Sequence, residues 1–262
     1  MCLLIALSRV LPDAPLLVAA NRDERYDRPA EAITVLRDRG PRILGGRDQV
    51  AGGTWLAVNE HGVLAGLTNW PSAGGRDATR RSRGELPLAF AAHADAATAV
   101  AKVCAELDPS DYNPCWLLVG DRNSLFSVDM TGGHRPIAEQ LPPGTYVLEN
   151  APLQAHSAKA RHVAAMVAAG MAGVSGVSEG EEALAVVLRD HRPVPGAAGQ
   201  GRPAELSAAC VHTATYGTRS AMIVSVGAAG LPRVRVADGP PCETSFEDAT
   251  PLWAAARSDS TP

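Results

Sequence analysis

The feature that most constrains this chain is its first thirty residues. There Cys2 is followed by two short apolar runs, Leu3 to Leu7 and Leu16 to Ala20, around a turn with Pro12, Asp13 and Pro15. Such a pattern reads as a β-hairpin. The hairpin returns Asn21-Arg22-Asp23-Glu24 to the start of the chain. Aminopeptidases remove Met before a small residue, so loss of Met1 is expected, leaving a thiol and a free α-amine on one residue. A thiol titrates at about 8.5 and an α-amine at about 7.7–8.0, so the amine can act as base at neutral pH. A nucleophile served by its own amine is one form of activated nucleophile. Asp23 is the candidate that orients the amine, and nearby arginines favour thiolate. On these residues alone, Cys2 as a small buried apolar residue of a strand stays open.

Bulk properties exclude some classes. A chain of 262 residues with 46% hydrophobic content and a net charge of −4 describes an ordinary globular protein. Mild acidity argues against nucleic-acid binding, for which a basic face is the usual signature. No stretch approaches the roughly 20 apolar residues of a membrane span. Leu3 to Leu7 is too short for a signal segment and lacks a basic flank. Cysteines at 2, 104, 115, 210 and 242 form no C-x-x-C pair and no metal-ligand spacing. Reduced thiols and a cytoplasmic setting are the expectation, with no cofactor and no metal assigned.

Further along, Ile33 to Leu36 is a strand candidate. Gly45-Gly46 and Gly52-Gly53 flank Arg47-Asp48 and read as a loop at the rim of a pocket. A phosphate loop is rejected, since no Gly-Lys-Ser/Thr element opens a helix there. Thr54 to Val58 and Val63 to Thr68 form a hairpin around Asn59-Glu60-His61-Gly62. Residues 73 to 83, with arginines at 76, 80, 81 and 83, read as a mobile solvated loop or a lid attracting an anionic group. Helices are expected over 86–92, 96–107, 157–171 and 179–189, the first capped by Ser82 and the third by Ser157. Strands are expected at 115–119, 124–129, 134–138, 146–148, 221–226 and 234–236. Residues 193 to 203 read as a flexible loop, within a stretch near 192–204, and the tail should fray after about 250. Strands arriving as hairpins and helices in pairs imply an α+β class with antiparallel sheets. No boundary is evident, so 1–262 reads as a single domain.

Met1-Cys2 and Asn21-Arg22-Asp23-Glu24 are accompanied, in order, by Gly45-Gly46-Arg47-Asp48, Gly52-Gly53-Thr54-Trp55-Leu56-Ala57-Val58, Leu67-Thr68-Asn69, Ser82-Arg83-Gly84-Glu85-Leu86 and Tyr216-Gly217-Thr218-Arg219. This set resembles the NRDE family, which includes the transport and Golgi organisation proteins. That family is thought to resemble N-terminal-nucleophile (Ntn) hydrolases of the cholylglycine hydrolase and penicillin V acylase type. The resemblance implies an αββα sandwich: two stacked antiparallel sheets with helices on both outer faces. It also implies a cysteine-dependent amidohydrolase or acyltransferase acting on a linear amide of a small molecule. Asn69 falls where the cholylglycine hydrolase hairpin ends in an active-site Asn, though it also suits a strand-ending turn. Asn150, in Asn-x-Pro after a strand, matches the oxyanion-binding Asn, though Asn commonly opens such a turn. Those enzymes carry an Arg three residues before the Asp, and here that place is Ala20. Arg219 is the expected replacement, because on a strand Arg22 points away from Asp23. Arg22, Trp55, Trp70 and Arg83 are candidate substrate-binding residues. His212 reads as a strand histidine more readily than as a base.

A competing reading is a non-catalytic ligand carrier, since eukaryotic members of the family have been linked to haem movement and lipid metabolism. The chain has no C-x-x-C-H, and its seven His are scattered. Either reading expects a small-molecule partner, no nucleic acid and no membrane span, and leaves oligomerisation open.

Overall fold

The computed structural model describes residues 2–71, 75–155, 157–195 and 203–255. The first hairpin is β1 (Leu3–Ser8) and β2 (Leu16–Arg25), and β2 runs through the whole Asn21–Glu24 motif. A meander follows: β3 (Ala30–Arg37), β4 (Ile43–Asp48), β5 (Leu56–Asn59) and β6 (Leu64–Asn69), then β7 (Cys115–Gly120), β8 (Leu125–Asp129) and β9 (Ile137–Leu141). Between β6 and β7 lie helices α1 (Glu85–Phe90) and α2 (Ala96–Glu106). Then come β10 (Gly144–Leu148), α3 (Ala158–Gly170), α4 (Val177–Arg189), β11 (Tyr216–Val226), β12 (Arg233–Ala237) and β13 (Glu247–Asp248). Among the described residues, β10-β1-β2-β11-β12-β13 form one antiparallel sheet and β3 through β9 a second, in simple sequence order.

Alternation along β1 and β2 shows how the layers assemble. Leu4, Ala6, Leu16, Val18 and Ala20 pack between the sheets with Leu44, Leu56, Val58, Leu64 and Leu118 of the second sheet. The intervening Leu3, Ile5, Leu7, Leu17 and Ala19 face outward onto Val163, Val167, Leu184 and Leu188 of α3 and α4. With a side-chain period of two, a strand apolar at every position is buried on both faces. The second sheet is covered by α1 and α2 through Leu86, Phe90, Val100 and Val103. The molecule is thus an α+β, αββα sandwich of two stacked antiparallel sheets with helices on both outer faces.

Several local expectations differ from the structure. Gly45 to Asp48 is strand rather than loop, because Gly45 and Gly46 let neighbours close on the backbone. A Cβ on Gly46 would meet the Trp55 ring at 1.7 Å, and one on Gly45 would meet the Leu56 carbonyl at 2.4 Å. Ser82 does not cap α1, whose N-cap Gly84 has no side-chain cap; Ser82 Oγ accepts from Gly84 N at 3.3 Å. Ser157 does cap α3, accepting from Ala160 N at 3.0 Å, and Asp95 caps α2. Fraying does not begin at 250: Thr250–Ala254 is a 3-10 turn whose Trp253 donates to the Pro232 carbonyl at 2.8 Å. The loop expected near 192–204 falls largely on 196–202, outside the described residues, as does the tail from 256. Among the described residues no helix is long and apolar enough to cross a membrane.

Candidate active site

The inter-sheet layer ends where β1 begins. The register sets Leu3 opposite Asn21, and continuing it by one residue sets Cys2 against Arg22. Both belong to the face that carries Leu4, Ala6 and Ala20, so Cys2 and Arg22 share it. They line a cavity of about 260 Å³ with Asp23, Glu24, Asn69 and a rim of loop residues. The sequence expectation set Arg22 aside because it alternates with Asp23. The alternation holds, but it turns Arg22 toward Cys2.

Each residue of the Asn21–Glu24 segment has a distinct environment. Asn21 is fully buried, and its Nδ2 donates to the Leu188 carbonyl at 3.0 Å and the Ala209 carbonyl at 2.8 Å. It ties β2 to the end of α4 and to the segment leading into β11. Arg22, only 4% exposed, lies over the Trp55 ring at 4.8 Å, and its Nη1 donates to no acceptor among the described residues. Burial pulls its guanidinium below the ordinary arginine value, opposed by Cys2, Glu24 and Asp48. Asp23, also 4% exposed, accepts from Thr218 Oγ1 at 2.6 Å, and Tyr216 Oη donates to its backbone carbonyl at 2.8 Å. Burial raises the Asp23 carboxyl, with Lys159 and the Thr218 hydrogen bond working the other way. Glu24 stands at the rim with Arg28, which pairs with Asp48 at 2.7 Å.

The Cys2 thiol is likewise held up by burial, with Arg22 among the groups that lower it. A protonated thiol in such a place needs a base before it can attack. Burial also pushes up the thiols of Cys104 and Cys115, to about 11 and about 12.

Loops of the second sheet form the opposite wall. Gly53, Thr54 and Trp55 meet Ser82, Arg83 and Gly84, and a Cβ on Gly53 would lie 2.5 Å from the Gly84 carbonyl carbon. Thr54 N donates to the Gly84 carbonyl at 2.9 Å. The arginine-bearing segment is strapped rather than free over its described part. Asp77 N donates to Asn113 Oδ1 at 2.8 Å, Arg80 to the Tyr112 carbonyl at 2.7 Å, and Arg83 to the Pro114 carbonyl at 3.2 Å. Arg76, Arg81 and Arg83 therefore reach the cavity from one side and Arg22 and Arg28 from the other, against Asp23, Glu24 and Asp48. Arg81 is paired with Glu85 at 2.7 Å and Arg28 with Asp48. Arg22 and Arg83, both desolvated, have no carboxylate at ion-pair distance among the described residues.

The family model for transport and Golgi organisation 2 matches residues 1–238. The bovine transport and Golgi organization protein 2 homolog is 32% identical over 241 residues, covering 82% of this chain and 83% of the bovine protein. The mouse homolog is 31% identical over 239 residues, with coverages of 82% and 83%. This chain belongs to the transport and Golgi organisation 2 family. Among solved structures, penicillin V acylase from Agrobacterium tumefaciens superposes with a TM-score of 0.53 at 10% identity, covering 95% of this chain and 98% of the acylase. The C2A mutant of conjugated bile acid hydrolase from Clostridium perfringens gives 0.51 at 12% identity, with 95% and 92% covered. At such identities the likeness establishes the Ntn-hydrolase fold and nothing of the reaction.

Two motifs of this family chain are neighbours in space. Tyr216, Gly217 and Thr218 pair with Arg25, Glu24 and Asp23, while Ser220 pairs with Arg22, so Arg219 is the extra residue of a bulge. Bulges re-aim side chains. Here the Arg219 guanidinium is carried to the carbonyls of Arg25 and Tyr26, with the Tyr26 ring 5.8 Å away. Arg219 does not line the cavity, contrary to the expectation that it faces Cys2. Asn69 does line it. Asn150 stands behind, its Nδ2 donating to the Asn69 carbonyl while its buried Oδ1 has no hydrogen-bond partner among the described residues. Trp55 lines the cavity, but Trp70 stacks on Trp116 at 5.0 Å outside it. Sequence reasoning missed Thr218, Arg28, Asp48 and Asn113. Thr218 and Asp48 each had a signal, lying in the Tyr216–Arg219 and Gly45–Asp48 motifs, and the register of Thr218 with β2 appears once the strands are paired.

Proposed function

We propose that this protein is an Ntn-type cysteine amidohydrolase, or a closely related acyltransferase, for a small amide bearing an anionic group. The observation that carries the reading is that Cys2, Arg22, Asp23 and Asn69 line one cavity whose far wall adds Arg83. With Met1 removed, the Cys2 amine takes the thiol proton as sulfur bonds to the amide carbon and the carbonyl electrons move to oxygen. Asn69, which lines the cavity, is the proposed oxyanion donor, and Asn150 positions it through the bond to the Asn69 carbonyl; loss of one such donor typically costs about 10²–10³ in turnover. The ammonium then protonates the leaving nitrogen as the C–N bond breaks, leaving a thioester. Water, or an acceptor amine or alcohol, gives its proton to the same amine and displaces the thiol. Asp23 orients the amine in this scheme. Arg22 is the proposed guanidinium beside the reacting centre, and Arg219 has a structural role. The two desolvated arginines favour a carboxylate or similar anion on the substrate, because guanidinium matches such groups bidentately.

The test is mass spectrometry of intact protein mixed with a panel of N-acyl amino acids, quenched early. The expected result is a chain beginning at Cys2 with an acyl mass on its N-terminal peptide. Active protein that retains Met1 would remove the self-base mechanism. Saturable binding with no acylation and no product would favour the carrier reading.

A further inference from the structure

Outside the residues that line the cavity, two thiols and an imidazole meet between the segment leading into β11 and the turn after β12. Cys210 Sγ lies 3.5 Å from His212 Nε2 and 3.6 Å from Cys242 Sγ, and His212 Nε2 lies 3.1 Å from Cys242 Sγ. All three atoms fall within 4.8 Å of one another. We propose that Cys210, His212 and Cys242 bind one zinc ion.

The geometry fits that ion. With Zn–S of about 2.3 Å and Zn–N of about 2.0–2.1 Å, a tetrahedral centre separates two sulfurs by about 3.8 Å and a sulfur from a nitrogen by about 3.6 Å. The observed separations lie at or within a few tenths of an ångström of these for two of the three edges, and a small opening at His212 completes the fit. The sulfurs are well beyond the bonding distance of about 2.05 Å for a disulfide. Three protein donors leave a fourth position for water or a small anion.

The donors are also held in advance. Cys210 N donates to the Asp190 carbonyl at 2.9 Å, and Val211 exchanges bonds with Thr218, accepting its N–H at 2.8 Å and donating to its Oγ1 at 2.8 Å. His212 bridges to Gly217. Cys242 sits in the turn after β12, where Glu243 and Thr244 both donate to the Pro240 carbonyl. In sequence Cys210 and His212 are separated by the single residue Val211 and Cys242 lies 30 positions after His212, a spacing that matches no common zinc pattern. The ion would staple the turn after β12 to the segment preceding β11. That segment carries the Val211 contact to Thr218, and Thr218 in turn holds Asp23. The ion would thus reinforce the support of Asp23 from outside the cavity, and its binding does not depend on the reaction proposed above.

The experiment is elemental analysis of full-length protein equilibrated with excess zinc under a reductant and desalted, alongside cobalt titration of the wild type. About one zinc per chain is expected, and cobalt should produce a thiolate-to-metal charge-transfer band in the near ultraviolet. Cys210→Ser and Cys242→Ser should lose the zinc, whereas Cys104→Ser and Cys115→Ser should keep it. Zinc well below stoichiometry together with no cobalt band would overturn the proposal. So would zinc retained in Cys210→Ser, or a native Cys210–Cys242 disulfide in a non-reducing peptide map. The cobalt band is read on wild-type protein, so a variant that fails to fold leaves the test intact.

Discussion

The two walls of the cavity are built by different means. On one side Cys2, Arg22 and Asp23 are positioned by strand pairing: β2 is flanked by β1 and β11, and every side chain direction follows from register. On the other side Arg76, Arg81, Ser82 and Arg83 sit on a loop fastened by side chains to the carbonyls and amides of 111–114. Paired strands hold a group against displacement because several ladder bonds must break together. A strapped loop is held by a few scattered bonds, most of them from side chains and one a backbone bond from Arg81 to Asp111, each contributing about 0.5–1.5 kcal/mol. The wall from the first sheet is therefore the one suited to reacting groups, and the loop wall is suited to substrate recognition that can vary without disturbing the fold.

The comparison breaks most sharply at Cys2. Cys2→Ala should reduce turnover by about 10³-fold or more, as for removal of other catalytic nucleophiles, with the melting temperature close to wild type. Turnover that survives Cys2→Ala would show that the strand wall does not supply the nucleophile. Iodoacetamide labelling offers an independent check: Cys2, which lines the cavity, should react ahead of Cys104 and Cys115, which pack in the core between the second sheet and its helices.

Arginines on the two walls should respond differently. Arg83→Met is expected to raise KM about tenfold, equivalent to about 1.4 kcal/mol, with kcat nearly unchanged, the signature of lost uniform binding. Arg22→Met should lower kcat as well, because Arg22 faces Cys2. Arg22→Lys should not restore it, since a planar guanidinium stacked on Trp55 is not replaced by an ammonium. Steady-state kinetics on an anionic amide substrate separates the cases, and identical profiles for the two variants would erase the distinction between the walls.

What the sequence reveals follows the same division. Leu3 to Leu7, Leu16 to Ala20 and the hairpin at 54–68 are legible because local patterning determines strand and turn; even the return of Asp23 to Cys2 follows from one turn. The Arg219 position was not legible, because it depends on which strand pairs with β2 and on a bulge between Thr218 and Ser220 that no local pattern announces. The facing of Arg22 onto Cys2 follows instead from the β1–β2 register, and weighing Arg22 against Asp23 alone hides it. Gly46 misled for a related reason. A glycine pair reads as loop, yet here it keeps a strand flat beneath the Trp55 ring. The strapped arginine loop was unreadable because its fasteners, Asn113 and the carbonyls of Tyr112 and Pro114, lie some thirty residues downstream.

Gly46→Ala tests the support beneath Arg22. An added Cβ would overlap the Trp55 ring, whose nearest atom lies 1.7 Å away, so Trp55 must move and take Arg22 with it. A stability loss of about 1–3 kcal/mol is expected for such overpacking, read by urea denaturation, together with a kcat loss smaller than that of Arg22→Met. A neutral result would mean that the ring has room to shift.

The smallest effect on stability, with the opposite sign, is expected at Asp23. Its carboxyl is raised in the folded protein, first of all by burial, whereas an unfolded Asp titrates at about 3.9. Between the unfolded value and the raised folded value, the native state binds more protons than the unfolded state. Stability then falls as pH rises through that window. Below about 3.9 the group is protonated in both states and imposes no penalty; above the folded value the full penalty is present. Asp23→Asn keeps an acceptor for the Thr218 hydroxyl, because Asn Oδ1 can take the same 2.6 Å hydrogen bond. The variant should therefore be as stable as wild type at acid pH and equal or slightly more stable at neutral pH, while its turnover falls. Urea melts of both proteins across the acid-to-neutral range provide the measurement. A variant that loses stability at neutral pH would show that the buried carboxylate is a net stabilising group, against the penalty that burial of the carboxyl implies.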